Sequence, residues 1–363
     1  MSKVVGLEIG LTNTKFVIGN KTKSKFELSD YRIIKNPEGM HDYEGHLNVS
    51  EAAPKIAQAV KELGGTRKKC YLTITSPKSI IRNRLFPFVS KKELDAMVSL
   101  EADQFLPYDA NSFYIDYRIL GIQETADQKS LNVMVVAVPK DIIDEQVALV
   151  EKCNMRVACV NVFVDSVHSY CGLHKDTSTG NALVVDVGYE HLRLIAFGEY
   201  EYFANITSEN AIRSFEDFYF EQYNIPADAL NDYLFKGIEL PSDIVKKFKE
   251  DDHQRDFASL SFNSGTFDQE NQNEEDGRES QFVIDYAPIT NEIKKMIGFY
   301  KSRKYGNTVD QILLCGGGAY AKGLRQAISD EFGIKTMSMT YPGQENNKDS
   351  LLLTTAIGGV IRG

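Results

Sequence analysis

Residues 4–9 alternate along an apolar run that stops at Gly10; residues 11–14 form a largely polar turn, and residues 15–18 resume a strand. A strand period broken by so short a turn predicts a β-hairpin. The same pattern returns at residues 182–187, 188–191 and 192–197. Short strands are predicted at 26–31, 45–49 and 69–75. A helix spans 50–63, with Ser50 as its cap and Gly64-Gly65 as its stop. From Ser79 the character changes. A strand over 80–89 runs into Ser90-Lys91-Lys92-Glu93, the spacing of a capping box. Leu94, Met97 and Val98 give the next helix its apolar face, and Pro107 closes it. Strands at 114–120 and 132–138 flank a polar turn around Asp127. A second amphipathic helix covers 140–153, a strand 157–162 and a further helix 165–172.

The second half repeats the plan of the first. Gly6-Leu7-Glu8-Ile9-Gly10 and Val184-Val185-Asp186-Val187-Gly188 are both apolar strands with one acid two residues before a glycine. Glu8 and Asp186 stand 178 positions apart, about half the chain. That spacing predicts an internal duplication, two lobes each opening with a hairpin. Helical periods follow at 212–223, 229–235, 289–300, 324–332 and 351–361, with strand-like runs at 312–314 and 337–339. The expected division is a first lobe of residues 1–78 plus 156–178, an inserted αβ unit of 79–155, and a second lobe of 179–363.

Charge changes this picture in one place. The chain of 363 residues carries a formal charge of −10. Residues 250–279 alone contribute ten acids and two arginines, a net of −8, which leaves −2 for everything else. The acidity describes one segment, so residues 250–281 are expected to be a flexible, solvated insertion. No basic stripe with interleaved aromatics suggests nucleic acid. No apolar run reaches the roughly 18–20 residues of a spanning helix, and Met1-Ser2-Lys3 leads straight into a strand without a secretory signal. The five cysteines include no Cys-x-x-Cys pair and are expected to be reduced thiols. His168, Cys171 and His174 resemble a ligand set only in spacing. Six helical steps turn through about 600°, so the two histidines diverge.

Candidate chemistry sits at three turns. The first hairpin tip offers Gly10, Thr12, Asn13, Thr14 and Lys15, and the second Gly188. A strand of residues 312–314 ends at Gly316-Gly317-Gly318, where bare backbone can approach a flat or charged ligand. Backbone N–H groups of the hairpins can hold phosphate oxygens. Glu8 and Asp186 can order a hydrated Mg²⁺ through water, because Mg²⁺ keeps most of its waters. The other reading of Glu8 is a strand-end acid facing solvent. No aspartate stands in a context suggesting a general base, and no residue is assigned a catalytic role.

The motifs Glu8-Ile9-Gly10-Leu11-Thr12-Asn13-Thr14-Lys15, Asp186-Val187-Gly188 and Gly316-Gly317-Gly318 resemble the two phosphate hairpins and the adenosine turn of the actin, Hsp70 and sugar-kinase superfamily. Leu100-Glu101-Ala102-Asp103-Gln104-Phe105-Leu106-Pro107-Tyr108, with Asp116-Tyr117 beyond it, resembles the PilM family of type IV pilus assembly, more distantly the FtsA branch. The ending Ala356-Ile357-Gly358-Gly359-Val360-Ile361-Arg362-Gly363 resembles the last helix of that family. The resemblance implies an α/β, actin-like (ribonuclease H-like) duplicated two-lobe fold with a small inserted subdomain placed as in FtsA. It implies a cytoplasmic adaptor at the inner face of the cytoplasmic membrane, with ATP and Mg between the lobes. The implied partner is the cytoplasmic tail of a PilN-like membrane protein, held in a groove between the first lobe and the inserted unit. Pilus motor ATPases and self-association are further implied contacts, and a polymerising ATPase of the FtsA type is the alternative. Four departures thin the phosphate contacts. Glu8 replaces Asp, Leu11 stands where a hydroxyl is usual, Tyr189-Glu190-His191-Leu192 replaces small residues, and Thr207-Ser208-Glu209-Asn210 replaces a Gly-Gly pair. The expectation is nucleotide binding with at most weak turnover.

Overall fold

The computed structural model describes residues 2–22, 25–42, 46–107, 109–124, 128–173, 180–198, 202–241, 244–245, 282–303 and 308–362. The acidic segment 250–281 lies outside them. Strands β1 (Ser2–Ile9), β2 (Asn13–Lys21), β3 (Phe26–Lys35), β4 (Lys69–Ile74) and β8 (Arg156–Val162) form one sheet, in the order β3-β2-β1-β4-β8. Strands β9 (Ala182–Val187), β10 (Leu192–Phe197), β11 (Tyr202–Ser208), β12 (Gln311–Cys315) and β13 (Lys335–Ser338) form a second, in the order β11-β10-β9-β12-β13. The two orders are the same plan. Each begins with an antiparallel three-strand meander and continues with two parallel strands. Both hairpins expected from the sequence are present at their expected positions, and the fold is the actin-like two-lobe α/β fold.

A third sheet, β5 (Ile80–Pro87), β7 (Lys129–Pro139) and β6 (Phe113–Glu124), is antiparallel in the order β5-β7-β6. Helix α2 (Lys91–Phe105) covers it with Leu94, Val98 and Ala102. Its capping box forms as the spacing predicts: Ser90 Oγ accepts from Glu93 N, and Glu93 Oε2 accepts from Ser90 N at 2.9 Å. Helix α3 (Lys140–Lys152) follows β7 directly but buries Ile142, Leu149 and Val150 with Ala53, Ile56 and Val60 of α1 (Val49–Glu62).

The first sheet is covered on both faces, which is why β1 reads as nearly continuous apolar residues. Val5, Leu7, Phe16, Ile18 and Leu72 pack towards α1 and α3. Val4, Val17 and Tyr71 face the other way, towards α4 (Phe163–Cys171) and the last helix, Thr354–Arg362. That last helix comes so close to the strand that a Cβ on Gly6 would stand 2.4 Å from Ala356 O. It crosses α4 closer still, since a Cβ on Gly358 would stand 1.9 Å from Ser166 O. Gly358 and Gly359 of the C-terminal motif are therefore packing glycines, and they bring the last helix against β4, β8 and α4 of the first sheet's side.

Several expectations need correction. The strand expected at 45–49 is an isolated bridge, His41 to Leu47, and α1 starts at Val49. Its cap is Asn48, whose side chain accepts from Glu51 N, and not Ser50. Strand β11 was not expected. The helix expected over 351–361 is a 3₁₀ turn, Lys348–Leu353, leading into the α-helix. Among the described residues no helix is long and apolar enough to cross a membrane.

Candidate functional site

The two hairpin tips close identically. Gly10 N donates to Asn13 O at 3.0 Å, and Gly188 N donates to His191 O at 3.0 Å. A Cβ on Gly10 would meet Asn13 O at 2.9 Å, and one on Gly188 would meet His191 O at 2.7 Å, so both turns require glycine for backbone contact. Behind each tip the register sets an acid against a cation: Glu8 opposite Lys15, and Asp186 opposite Arg193. Lys15 Nζ donates to Glu8 Oε1 at 2.8 Å, and Arg193 Nη1 donates to Asp186 Oδ2 at 3.1 Å. Glu8 is 5% exposed and Asp186 9%, so neither faces solvent as a free strand-end acid.

The rest of each tip differs. In the first, Asn36 at the end of β3 braces the turn. Its Nδ2 donates to Gly10 O at 2.7 Å and to Leu11 O at 3.0 Å, and its Oδ1 accepts from Thr14 Oγ1 at 2.7 Å. The Thr14 hydroxyl is buried and committed to the fold, which removes it from the expected phosphate contacts. Thr12 and Asn13 stay half-exposed at the tip, and Leu11 is exposed. The second tip is held by helix α5 (Ile212–Tyr223). Arg213 N donates to Tyr189 O at 2.8 Å, Arg213 Nη1 pairs with Glu190 at 3.1 Å, and Tyr189 Oη donates to Glu216 at 2.7 Å. Burial, reinforced by that carboxylate, pushes the Tyr189 phenol up to about 12, so it remains a donor. The charge of Glu190 is answered by Arg213.

Gly316, Gly317 and Gly318 do different jobs. Gly316 takes φ +84°, and a Cβ there would stand 2.4 Å from Asp186 Oδ1 and 2.5 Å from Val187 O. One on Gly318 would stand 2.4 Å from Val187 Cγ1 and 2.8 Å from Ile212. These two are glycine because the second hairpin and α5 fill the space. Gly317 is half-exposed and meets only Leu352, at 3.4 Å. It is the member of the three whose backbone remains approachable.

The tips and the turn meet around Cys315. Burial first, and then Asp186, raise its thiol far above the ordinary range; Lys15 works against the shift and Glu8 adds to it. One sulfur thus feels both acids and the first-lobe cation. Three further contacts bind the lobes here. Thr355 Oγ1 donates to Glu8 Oε2, Arg193 Nη2 donates to Thr75 O at 3.0 Å, and the Arg193 guanidinium lies 5.2 Å from the Phe163 ring centre. Sequence reasoning missed Arg193, although it stands 178 positions after Lys15, the spacing that links Asp186 to Glu8. It had no means of finding Asn36 or Thr355, whose partners lie 22 to 347 positions away.

Glu8 and Asp186, the residues expected to order Mg²⁺ through water, each hold a cation of their own hairpin. Each carboxylate is already in an ion pair imposed by strand register. Among the described residues no group of three His, Cys, Asp or Glu side chains gathers to hold a metal ion.

A family model described as type IV pilus assembly protein PilM matches residues 6–232, well over half of the chain. The chain belongs to that family. The solved structure of the PilM-PilN type IV pilus biogenesis complex is similar over 99% of this chain and 98% of that one, with a TM-score of 0.73 at 16% identity. Ethanolamine utilization protein EutJ from Carboxydothermus hydrogenoformans is similar over 100% of this chain and 90% of its own, with a TM-score of 0.53 at 9% identity. At those identities the two structures speak for the fold. The family match takes in both hairpins, the inserted sheet and α5, and stops before the glycine turn.

Proposed function

We propose that this PilM-family protein is a cytoplasmic adaptor of type IV pilus assembly at the inner face of the membrane. It binds the cytoplasmic tail of a PilN-like membrane protein, and a nucleotide between the lobes gates that binding. The observation that carries this reading is the end-to-end similarity to the PilM of a PilM-PilN complex. We divide the chain as a first lobe (1–78 plus 156–178), an inserted subdomain (79–155) and a second lobe (179–363). Pilus motor ATPases and further copies of the chain remain candidate partners of the same assembly.

An extended tail needs an open strand edge and places for apolar side chains. Strand β6 ends the order of the inserted sheet and carries exposed Tyr114, Ile119 and Ile122. Its start is tied to α3, since Tyr114 Oη donates to Asp144 at 3.0 Å and Lys140 lies over the Tyr114 ring. We therefore place the tail along the β6 edge, where the inserted sheet meets α3. For the nucleotide, the approachable backbone of Gly317 takes the adenosine, with Thr12, Asn13 and Lys15 of the first tip and the second tip at Gly188 towards the phosphates. The polymerising-ATPase reading is set aside. The end-to-end similarity is to a PilM-PilN complex, which favours the adaptor.

The test is a titration of a synthetic peptide copying the PilN-like cytoplasmic tail into the full chain, with and without ATP. Saturable binding, weakened about tenfold by Tyr114→Ala, is expected. No binding of the peptide overturns the adaptor reading. ATP titrated beside a Gly317→Asp variant that keeps its fold tests the cleft separately: binding is expected to be lost in the variant.

A further inference from the structure

The first sheet has two ends. One carries the tip at Gly10. The other is where β1, β4 and β8 begin and the β2–β3 turn closes, a strand length away, about 25 Å at 3.3 Å per residue. Positive charge gathers at that far end. Lys3 lies at the start of β1, Lys25 in the β2–β3 turn, Arg67 and Lys68 lead into β4 at Lys69, and Arg156 opens β8 opposite Lys69. Lys68 is half-buried and the other five are exposed. Residues 2–3, 25–27, 61–69 and 151–156 together hold eight cations and three acids, in a chain whose formal charge is −10.

The fold does not use these six side chains. None makes a hydrogen bond or an ion pair among the described residues, whereas Lys15, Arg84, Arg118, Arg193 and Arg213 each hold a carboxylate. Arg67 also sits in a conformation that suits glycine better. Its φ is +61°, and Asn154, whose carbonyl accepts from Arg67 N at 2.7 Å, has φ +60°. A glycine would take that conformation without a clash at Cβ, yet the position presents a guanidinium to water. Arg156 N donates to Lys68 O at 3.1 Å, so the two strand starts are tied together and the cations stand on ordered backbone.

A row of unanswered cations along adjacent strand ends suits an extended anionic surface. Phe26 and Tyr71, the rings at this end, are buried, so no exposed ring is there for a base to stack on. We infer that this end of the first sheet docks on an anionic phospholipid surface. Each lysine or arginine brought to such a surface is worth about fivefold in affinity, and salt screens the attraction. The position also suits the tail. Helix α3 runs from Lys140, beside the β6 edge, to Lys152 near this end, about 18 Å at 1.5 Å per residue. About six extended residues of a tail leaving the membrane span that distance. The inference goes beyond the adaptor reading, because lipid docking needs no tail.

The experiment is co-sedimentation of the full chain with vesicles of phosphatidylcholine alone, and of phosphatidylcholine mixed equally with phosphatidylglycerol, at low and high salt. Binding to the mixed vesicles only, lost in high salt, is expected. Arg67→Ser, Lys68→Ser and Lys69→Ser together are expected to weaken it about a hundredfold and to leave the melting temperature unchanged, since the three side chains have no partner in the fold. Lys91→Ser with Lys92→Ser, exposed on the first turn of α2, is expected to leave vesicle binding unchanged. No binding to the mixed vesicles, equal binding to both kinds, or a triple variant that binds like the wild type overturns the inference. So does tighter binding to a single-stranded oligonucleotide than to the vesicles at equal salt, which would make this end a nucleic-acid surface. The vesicles contain no peptide and the peptide titration no lipid, so lipid docking and the adaptor reading fail separately.

Discussion

Gly10–Lys15 and Gly188–Arg193 close the same turn with the same hydrogen bond and set an acid against a cation at the same register, yet they are braced differently. The first tip is braced by the side chains of Asn36 and His41, and its cation is a lysine paired with Glu8. The second is backed by α5, and its cation is an arginine tied to the other lobe. The duplication fixed the turn and the ion pair in both halves, while the surroundings made one tip adjustable and the other rigid. A cleft of that kind has a fixed wall and a wall that can follow a ligand.

The largest test of this contrast removes the acids. Asp186→Asn strands Arg193 between Thr75 O and Phe163 with no carboxylate, and a broken buried pair costs about 3–5 kcal/mol. Glu8→Gln leaves Lys15, at 16% side-chain exposure, free to swing its ammonium towards water. Its loss is expected to be smaller, about 1–2 kcal/mol. Denaturant melts of the two variants decide the matter, and equal losses would mean that the tips are equally rigid.

The glycine turn gives the next largest effect, on the second-lobe side of the comparison. Gly316→Ala puts a Cβ 2.4 Å from Asp186 Oδ1 at a φ of +84°, so it pushes on the rigid pair and strains the backbone. A loss of about 3 kcal/mol is expected. Gly317→Ala meets only Leu352 at 3.4 Å. It is expected to change stability by less than about 0.5 kcal/mol while weakening ATP binding. If both variants are equally destabilised, Gly317 is a packing glycine like its neighbours.

That split marks how far the sequence could be read. Three glycines after a strand were visible, as was the hairpin repeat, because both are local patterns. What fills the space beside each glycine was not, since Val187, Ile212 and Asp186 reach Gly316 and Gly318 only once the sheet and α5 have assembled. Thr14 looked like a phosphate hydroxyl until β3 brought Asn36 beside it. The strand expected at 45–49 lost to a local competitor, because Asn48 caps a helix that takes Val49 from it. Arg193 alone among the missed site residues was legible, because it stands as far from Lys15 as Asp186 does from Glu8, 178 positions.

A smaller effect probes what α5 adds to the second tip. Tyr189→Phe removes the 2.7 Å bond to Glu216, a carboxylate 6% exposed that then keeps Asn231 Nδ2 at 2.6 Å. A cost of about 1 kcal/mol is expected. The first tip has Leu11 at the matching position and nothing to lose there. A neutral Tyr189→Phe variant would show that the backbone bond from Arg213 suffices to hold the tip.

The smallest effect is one of pH and sits at the last difference between the turns, His191 against Asn13. Burial first, then the nearby Arg193, lower the His191 pKa; Glu190 and Glu209 pull the other way without prevailing. A histidine depressed in the fold takes up its proton later than in the unfolded chain, where it titrates near 6.5. As pH falls from there, the unfolded chain binds more protons and stability declines, until the folded pKa is passed and the dependence levels off. His168 acts in the same direction through burial and Arg118, so His191 is not the sole contributor to the wild-type slope. His191→Asn gives the second tip the residue that the first tip already has. The decline in melting midpoint below about pH 6.5 is expected to be shallower in this variant and to survive in part through His168. An unchanged slope would mean that the second tip is as open to water as the first, and the rigid wall would then begin behind the turn, at Arg193.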